Sequence, residues 1–417
     1  MKILVAVTYF RPHVSGLTIY VDRLCRALAA RGHRVTVLTA QYDPKLPREE
    51  HLQGVDVVRV PVAMRIGKGV IMPTFGWMAN KLVPAHDVLS LHLPQFDAAG
   101  LAVRGRLWKK PTTLTYHSDL ILPPSLLNTV ADTAIMSVNH IAARFSDRLI
   151  AYTDDFARHS RFLAQYLNHV DVIAPPVEMI EPGAEALAEF RAKHGLTTRR
   201  PVIGLAVRLA AEKGVEYLFE ALPAILERYP DALILHAGPR EALGEAEYLR
   251  KIEPLVERFR DHYLHLGTLN PEQMALFFSA CDVHVLPSVN STETFGLVQI
   301  EAALCGTPSV ASALPGVRMP SRMTGMGLTV PPRDVNAAPA EAPVTDAAVN
   351  AEVPSVTTAV AAPDGAVRPE RGERGERGSR RRDRDNRQDR ESQPFSAKKS
   401  RQFPVSTLRG GCRLSYL

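Results

Sequence analysis

Apolar residues come along this chain in short continuous runs, each followed by a stretch in which they recur every three or four positions. The run from Ile3 to Thr8 is the β-branched kind that lies buried on both faces of a parallel sheet. Between Leu17 and Arg31, the residues Ile19, Tyr20, Leu24, Ala27 and Leu28 share one face of a helix, and Gly32 ends it. Arg34 to Thr39 is a second strand, which completes one βαβ unit, and such units build doubly wound sheets. Val55 to Val60 alternates as a half-exposed strand, and further strands are predicted at 87–92, 111–116, 147–153 and 170–173. A helix is predicted over 157–167, and a link between domains near 174–178. A second α/β series opens at residues 201–207 and continues with an amphipathic helix to Leu226 and strands at 233–238, 262–266 and 281–288. Asn270, Pro271 and Glu272 predict a helix start with an N-cap, proline at the first position and an acidic first turn. The fold class is therefore α/β, in two Rossmann-like halves.

Composition narrows this only a little. The 417 residues suffice for two cores, and 46% hydrophobic content fits a soluble globular protein. Cys25, Cys281, Cys305 and Cys412 form no C-x-x-C pair and no Cys/His metal spacing, so a reducing cytoplasm is the expected compartment. Met1 to Val7 is too short for a signal-peptide core, and no apolar run reaches transmembrane length. Residues 65–81 mix Lys, Arg, Trp, Phe and Met with Gly and Pro, which suits either a partly buried connecting helix or a surface that meets lipid at the inner face of a membrane. There is no G-x-G-x-x-G, which weakens a nicotinamide dehydrogenase reading.

The most informative stretch follows the strand at 281–288. A helix starting at about Phe295 and Gly296, stopped by Gly306 and Pro308, leaves unpaired N–H groups at Phe295, Gly296 and Leu297 with the positive dipole end behind them. That suits a phosphate-sized anion, and Gly296 lets the backbone approach closely. Glu301 lies roughly 8–9 Å further along the helix, about the span from a diphosphate to a ribose diol, whose hydroxyl protons a carboxylate can accept. Glu293 is left near the sugar end. Alone, such a pair reads as readily as an acidic helix start and a solvated glutamate.

Taken whole, residues 291–308 resemble the E-x7-E signature of the retaining GT-B glycosyltransferases (glycosyltransferase group 1, family 4), among them sucrose-phosphate synthases and phosphatidylinositol mannosyltransferases. Glu293 and Glu301 match the two glutamates, and Phe295, Gly296 and residues 305–308 match the flanks. Three further segments fit the same family. Arg208 and Lys213 resemble its R-x4-K pair, which holds the donor diphosphate. Residues 12–16 resemble its P-x-x-G-G segment near the donor phosphates, with Ser15 in place of the first glycine and Gly16 retained. His117, at the end of a strand where open α/β sheets place their ligand crevice, resembles the histidine that contacts the donor sugar; Asp119 is a weaker candidate.

The resemblance covers about residues 1–335. It implies an acceptor-side domain over 1–176 and a nucleotide-sugar-binding domain over 177–335, facing each other across a cleft. The implied reaction moves a hexose from a nucleoside diphosphate sugar to a hydroxyl acceptor (lipid, glycan or small molecule) with retention of configuration, on the front face, with no separate carboxylate nucleophile. Arg208, Lys213, Glu293 and His117 are its implied catalytic residues; Gly16, Phe295, Gly296, Leu297 and Glu301 complete the donor site. No cofactor is implied, and the two cations stand in for a divalent ion.

From about Asn336 the chain turns Ala/Pro/Val-rich and then carries a dense arginine cluster at 371–382, sequence that cannot bury a core and is expected to be disordered. It reads either as a basic appendage for nucleic acid or acidic lipid, or as out-of-frame translation of a GC-rich gene. The second fits better because the tail begins where relatives continue with a helix, and an incomplete second domain could impair closure of the cleft. Three other functions stay open: a nucleotide-sugar epimerase of the same fold, an inactive nucleotide-binding protein, and an arginine-rich nucleic-acid binder.

Overall fold

The structure is a computed structural model that describes residues 1–66, 69–121, 126–240 and 245–336. Strands that are apolar at every position need cover on both faces, and the alternating helices supply it. The first lobe runs β1 (Lys2–Ala6), α1 (Gly16–Ala30), β2 (Arg34–Gln41), β3 (Glu49–Leu52), β4 (Val55–Pro61), the hairpin β5 (Met64–Ile66) and β6 (Gly69–Ile71), then α2 (Phe75–Ala85) and β7 (Val88–Leu93). It continues with α3 (Ala98–Leu107), β8 (Thr112–Tyr116), α4 (Leu126–Phe145), β9 (Arg148–Ala151), α5 (Asp154–His159) and β10 (Val170–Val172). Its sheet is ordered β10-β9-β8-β7-β1-β2-β4-β3, parallel except for the edge strand β3. The strand order reverses between β1 and β7.

The second lobe runs α6 (Ala184–Lys193), β11 (Val202–Ala206), α7 (Val215–Arg228), β12 (Leu233–Ala237), α8 (Ala246–Arg258), β13 (Tyr263–Gly267) and α9 (Pro271–Ala280). It ends with β14 (Val283–Leu286), α10 (Leu297–Leu304), β15 (Ser309–Ser312), α11 (Met319–Thr324) and β16 (Gly327–Val330). The six strands lie in the order β13-β12-β11-β14-β15-β16, all parallel, so the order reverses between β11 and β14. Crevices beyond the carboxyl ends of strands at such a reversal are where this architecture receives ligands.

Most predicted elements are present. The helix expected over 157–167 is not continuous: α5 stops at Ser160, and a 3-10 segment, Leu163–His169, follows. Ser160 causes the break. Its hydroxyl accepts the N–H groups of Phe162 and Leu163 and donates to Asp119, so a side chain takes over bonds that a helix would make. The basic and aromatic stretch at 65–81 is divided between the β5–β6 hairpin and α2. The tail expected beyond Asn336 lies outside the described residues.

Each sheet is cored on both faces. In the first lobe, α1 covers β1, β2 and β4 through Tyr20, Val21 and Cys25, and that layer also contains Phe295 from the second lobe. The described residues fall within one unit of the chain.

Candidate active site

The reversal in the second sheet brings two loops together. After β11, a turn at Ala211–Lys213 presents Arg208 and Lys213; after β14, residues 287–296 present Glu293. Lys213 Nζ donates to Glu293 Oε2 at 2.5 Å, across 80 positions of sequence. Arg208 is paired with Glu212 one turn away. Both cations expected to hold a diphosphate therefore lie at this strand edge, each neutralised by a carboxylate of its own lobe.

The helix after Glu293 starts later than expected, at Leu297, with Gly296 as its N-cap in the left-handed region at φ +75°. That φ favours glycine, and a Cβ there would also stand 2.5 Å from Leu286 Cδ2 and 2.7 Å from Gln299 Nε2, so both side chains would have to shift. The Gly296 N–H donates to Glu293 Oε1 at 3.1 Å. Phe295 lies before the helix, and its ring, 2% exposed, is buried in the first lobe's core. Glu301 on α10 is buried and ion-paired: Arg23 of α1 donates to its Oε1 at 2.8 Å. The same guanidinium reaches the main-chain carbonyls of Pro176 and Glu178, both at 3.3 Å. The carboxylate expected to meet a ribose thus meets an arginine that also holds the link between the sheets.

In the first lobe His117 follows β8, 6% exposed, with both ring nitrogens engaged. Nε2 lies 2.9 Å from His92 Nδ1, and Nδ1 meets the Tyr152 hydroxyl; His92 Nε2 continues to Ser90 Oγ at 3.3 Å. If Tyr152 donates to His117, each histidine passes its Nε2–H onward toward Ser90; reversing every donor gives the other consistent arrangement. Burial holds both imidazoles neutral: the pKa of His92 falls to about 3, and that of His117 lies well below its ordinary value, by desolvation first and the neighbouring histidine second. Burial likewise raises Tyr152 well above the usual phenol range, and Tyr20 and then Glu293 of the other lobe add to the effect. The His117 carbonyl accepts the Thr294 hydroxyl at 2.7 Å. Asp119 is buried and accepts from the Tyr116 and Ser160 hydroxyls, which makes it an anchor for its loop.

Gly16 begins α1, and a Cβ on it would meet nothing within 4 Å. Ser15, which stands where the resemblance has a glycine, is the helix N-cap in a reciprocal box with Thr18. At the strand-order reversal of the first sheet, His13 and Gln95 lie beyond β1 and β7. His13 Nδ1 and both amide atoms of Gln95, which is 5% exposed, have no hydrogen-bond partner among the described residues. Burial lowers the His13 pKa, and Arg208, facing it from the other lobe, lowers it further.

Arg23, His92, Tyr152 and Thr294 carry this geometry without having been singled out in the sequence. Arg23 reads there as a surface position of an amphipathic helix. His92 and Tyr152 sit inside or just after apolar strand runs, where nothing local marks them. Among the described residues no group of three or more His, Cys, Asp or Glu is placed to hold a metal ion, and no helix is long and apolar enough to cross a membrane.

Residues 188–341 match the family described as glycosyl transferases group 1, and residues 15–176 match the glycosyl transferase 4-like domain. The chain is 28% identical over 334 residues to an uncharacterised glycosyltransferase of Methanocaldococcus jannaschii, covering 76% of this chain and 82% of that one. It is 29% identical to the D-inositol 3-phosphate glycosyltransferase of Xylanimonas cellulosilytica, over 73% and 76% of the two chains. Among solved structures it is similar to a sucrose-phosphate synthase from Thermosynechococcus elongatus, with TM-score 0.63 and 25% identity over 81% of this chain and 87% of that one. An Anabaena protein solved in complex with UDP-glucose shares the fold at TM-score 0.64 and 19% identity, over 81% and 87%. The two family matches take in the second sheet and all of the first except β1, with Arg208, Lys213, Glu293 and Glu301 inside the group 1 match, and the chain is a glycosyltransferase of GT-B fold, similar to the group 1 enzymes.

Proposed function

We propose that the chain transfers a hexose from a nucleoside diphosphate sugar to a hydroxyl acceptor with retention of anomeric configuration. One observation carries this above the rest: Lys213 and Glu293 meet at the strand-order reversal of the second sheet, beside Arg208. A departing nucleoside diphosphate gains negative charge, and two cations at that edge stabilise its departure. On donor binding, Arg208 and Lys213 exchange Glu212 and Glu293 for phosphate oxygens. Glu293, released from Lys213, turns to the sugar hydroxyls, and Glu301 takes the ribose diol in place of Arg23. The leaving phosphate accepts the acceptor's proton on the same face, so no protein carboxylate attacks the sugar. Charge at the phosphates comes from side chains, and transfer is expected to survive a chelator.

The acceptor enters from the first lobe, where the buried, unpartnered amide of Gln95 and Nδ1 of His13 would gain hydroxyl partners once the side chains covering them move aside. If that acceptor is lipid-linked, Trp77 on α2, 67% exposed, is one apolar side chain available to a membrane surface.

Thermal-shift binding of UDP, GDP and ADP tests the donor site. One nucleotide should stabilise the chain, by about 2.7 kcal/mol at a hundred times its Kd, and Glu301→Ala and Arg208→Ala should each abolish the effect. Indifference to all three nucleotides would sink the donor site. Retention is read separately from the anomer formed by NMR, and an inverted product would end that part of the reading.

A further inference from the structure

The two residues that follow the first motif glutamate belong to one lobe by sequence and are seated in the other. Glu293 is held by its own lobe, with Oε1 on the Gly296 N–H and Oε2 on Lys213. The next two residues are buried in the opposite lobe. Thr294 donates its hydroxyl to the His117 carbonyl at 2.7 Å. Phe295 sits in a core layer whose other fully buried members all come from the first lobe, its ring edge-on to Tyr152 with centroids 6.0 Å apart.

The receiving side is rigid. His117 is hydrogen-bonded at both ring nitrogens, so its main-chain carbonyl has little freedom. Behind Thr294 stands Gly316, at φ +81°, where a Cβ would lie 2.0 Å from the Thr294 carbonyl oxygen and 3.0 Å from Phe156 Cβ. Gly316 is itself fastened across the lobes: its N–H donates to Asp155 Oδ2 at 2.8 Å, and Arg318 grips the same carboxylate through two nitrogens. Residues 294–295 are therefore clamped between Gly316 and the end of β8.

We propose that Thr294 and Phe295 are a latch by which closure of the two lobes sets the position of the Glu293 carboxylate. This rests on the reading of Glu293 as the group that faces the donor sugar. Neither residue needs to touch substrate; both are positioning residues. When the lobes part, the Thr294 hydroxyl and the Phe295 ring leave their seats, and Glu293 loses the anchor next to it in the chain. The nucleotide grip through Arg208 and Lys213 does not depend on those seats. Closure thus couples to the sugar end of the donor more than to its nucleotide end.

Thr294→Val, which keeps the shape and removes the donor, should lower kcat about tenfold while the Kd for the nucleoside diphosphate changes by less than about twofold. Thr294→Ser should restore kcat. Phe295→Leu, milder than truncation, should shift kcat in the same direction. Hydrogen exchange adds a readout independent of turnover: amides at 116–119 and 294–298 should exchange faster in Thr294→Val than in the parent chain. Unchanged kcat, a loss that serine does not rescue, or a nucleotide affinity that falls in step with kcat would overturn the latch. If the parent chain transfers no hexose and binds no nucleotide, the proposed function fails, and exchange alone decides the latch: unchanged protection at 116–119 in Thr294→Val rejects it.

Discussion

Helices α1 and α10 meet through Arg23 and Glu301, and they begin in opposite ways. α1 brings its own cap: the Ser15 hydroxyl accepts the Thr18 N–H, and the Thr18 hydroxyl accepts the Ser15 N–H. α10 begins on Gly296 with no side-chain cap, and the Gly296 N–H goes to the Glu293 carboxylate. A start that satisfies its own donors has little left for an anion. One that lends them to a movable carboxylate can exchange it for a phosphate. The surroundings follow the same division. The second-lobe edge carries charges in exchangeable pairs, Arg208 with Glu212 and Lys213 with Glu293. The first-lobe edge carries an uncharged, buried chain of Ser90, His92, His117 and Tyr152. Charge is handled by one lobe and shape by the other.

Removing a charge from the second-lobe edge should have the largest effect. Lys213→Ala should cost about 10²–10³ in kcat, the loss typical of one preorganised donor to a developing anion. Its thermal midpoint should fall as well, because the pair is mostly buried and the variant leaves the Glu293 carboxylate without its cation. Steady-state kinetics and a melting curve together check this. A kcat within about threefold of the parent would remove Lys213 from the chemistry and with it the division between the lobes.

The first-lobe edge should instead reveal itself in stability and its dependence on pH. Burial pushes the pKa of His92 down to about 3, whereas in the unfolded chain a histidine titrates near 6.5, at about the ordinary value. A base with a depressed folded pKa is protonated first in the unfolded chain. Its burial therefore costs nothing above about pH 6.5 and destabilises the fold progressively as the pH falls toward about 3. Between about pH 6 and 4, His92 alone contributes a slope of up to about 1.4 kcal/mol per pH unit. The second lobe repeats the device at His284 and His236, depressed to about 3 and about 4, so the difference between variant and parent is the informative quantity. His92→Gln, which keeps a donor and an acceptor, should show a shallower fall in stability across this range by chemical denaturation. An unchanged slope would mean that the histidine chain is not neutral in the fold.

The sheets were legible because parallel strands buried on both faces must be apolar throughout, and local sequence shows that directly. Arg208, Lys213, Glu293 and Glu301 stand out in the sequence through the family resemblance and not through their spacing alone, and what the structure adds is that Lys213 meets Glu293 and Arg208 meets Glu212. What escaped is tertiary. Arg23 gains its meaning from Glu301, 278 positions away, and Thr294 from His117, 177 positions away. His92 lies within a strand, and only the register that sets it against Thr115 brings its ring to His117. α10 starts slightly later than its sequence suggests, because a glycine's presence does not reveal which φ it takes. Ser160 could not be seen to break a helix without its partner Asp119.

The smallest effect belongs to the cap that distinguishes the two helices. Ser15 stands where the family segment has a glycine, and in this chain it closes the start of α1. Ser15→Ala removes the cap and should destabilise the chain by about 1 kcal/mol, whereas Ser15→Gly should cost only a few tenths, about the difference between these residues at an N-cap. If the α1 start is closed to the donor, neither change alters nucleotide affinity. The glycine variant offers the sharper outcome. Should Ser15→Gly tighten nucleotide binding while leaving stability nearly unchanged, the α1 amides have been opened to the phosphates, and the serine is what keeps charge in the second lobe's hands. Should Ser15→Ala weaken binding without loss of stability, the hydroxyl itself touches the donor, and the contrast between a closed and an open helix start no longer holds.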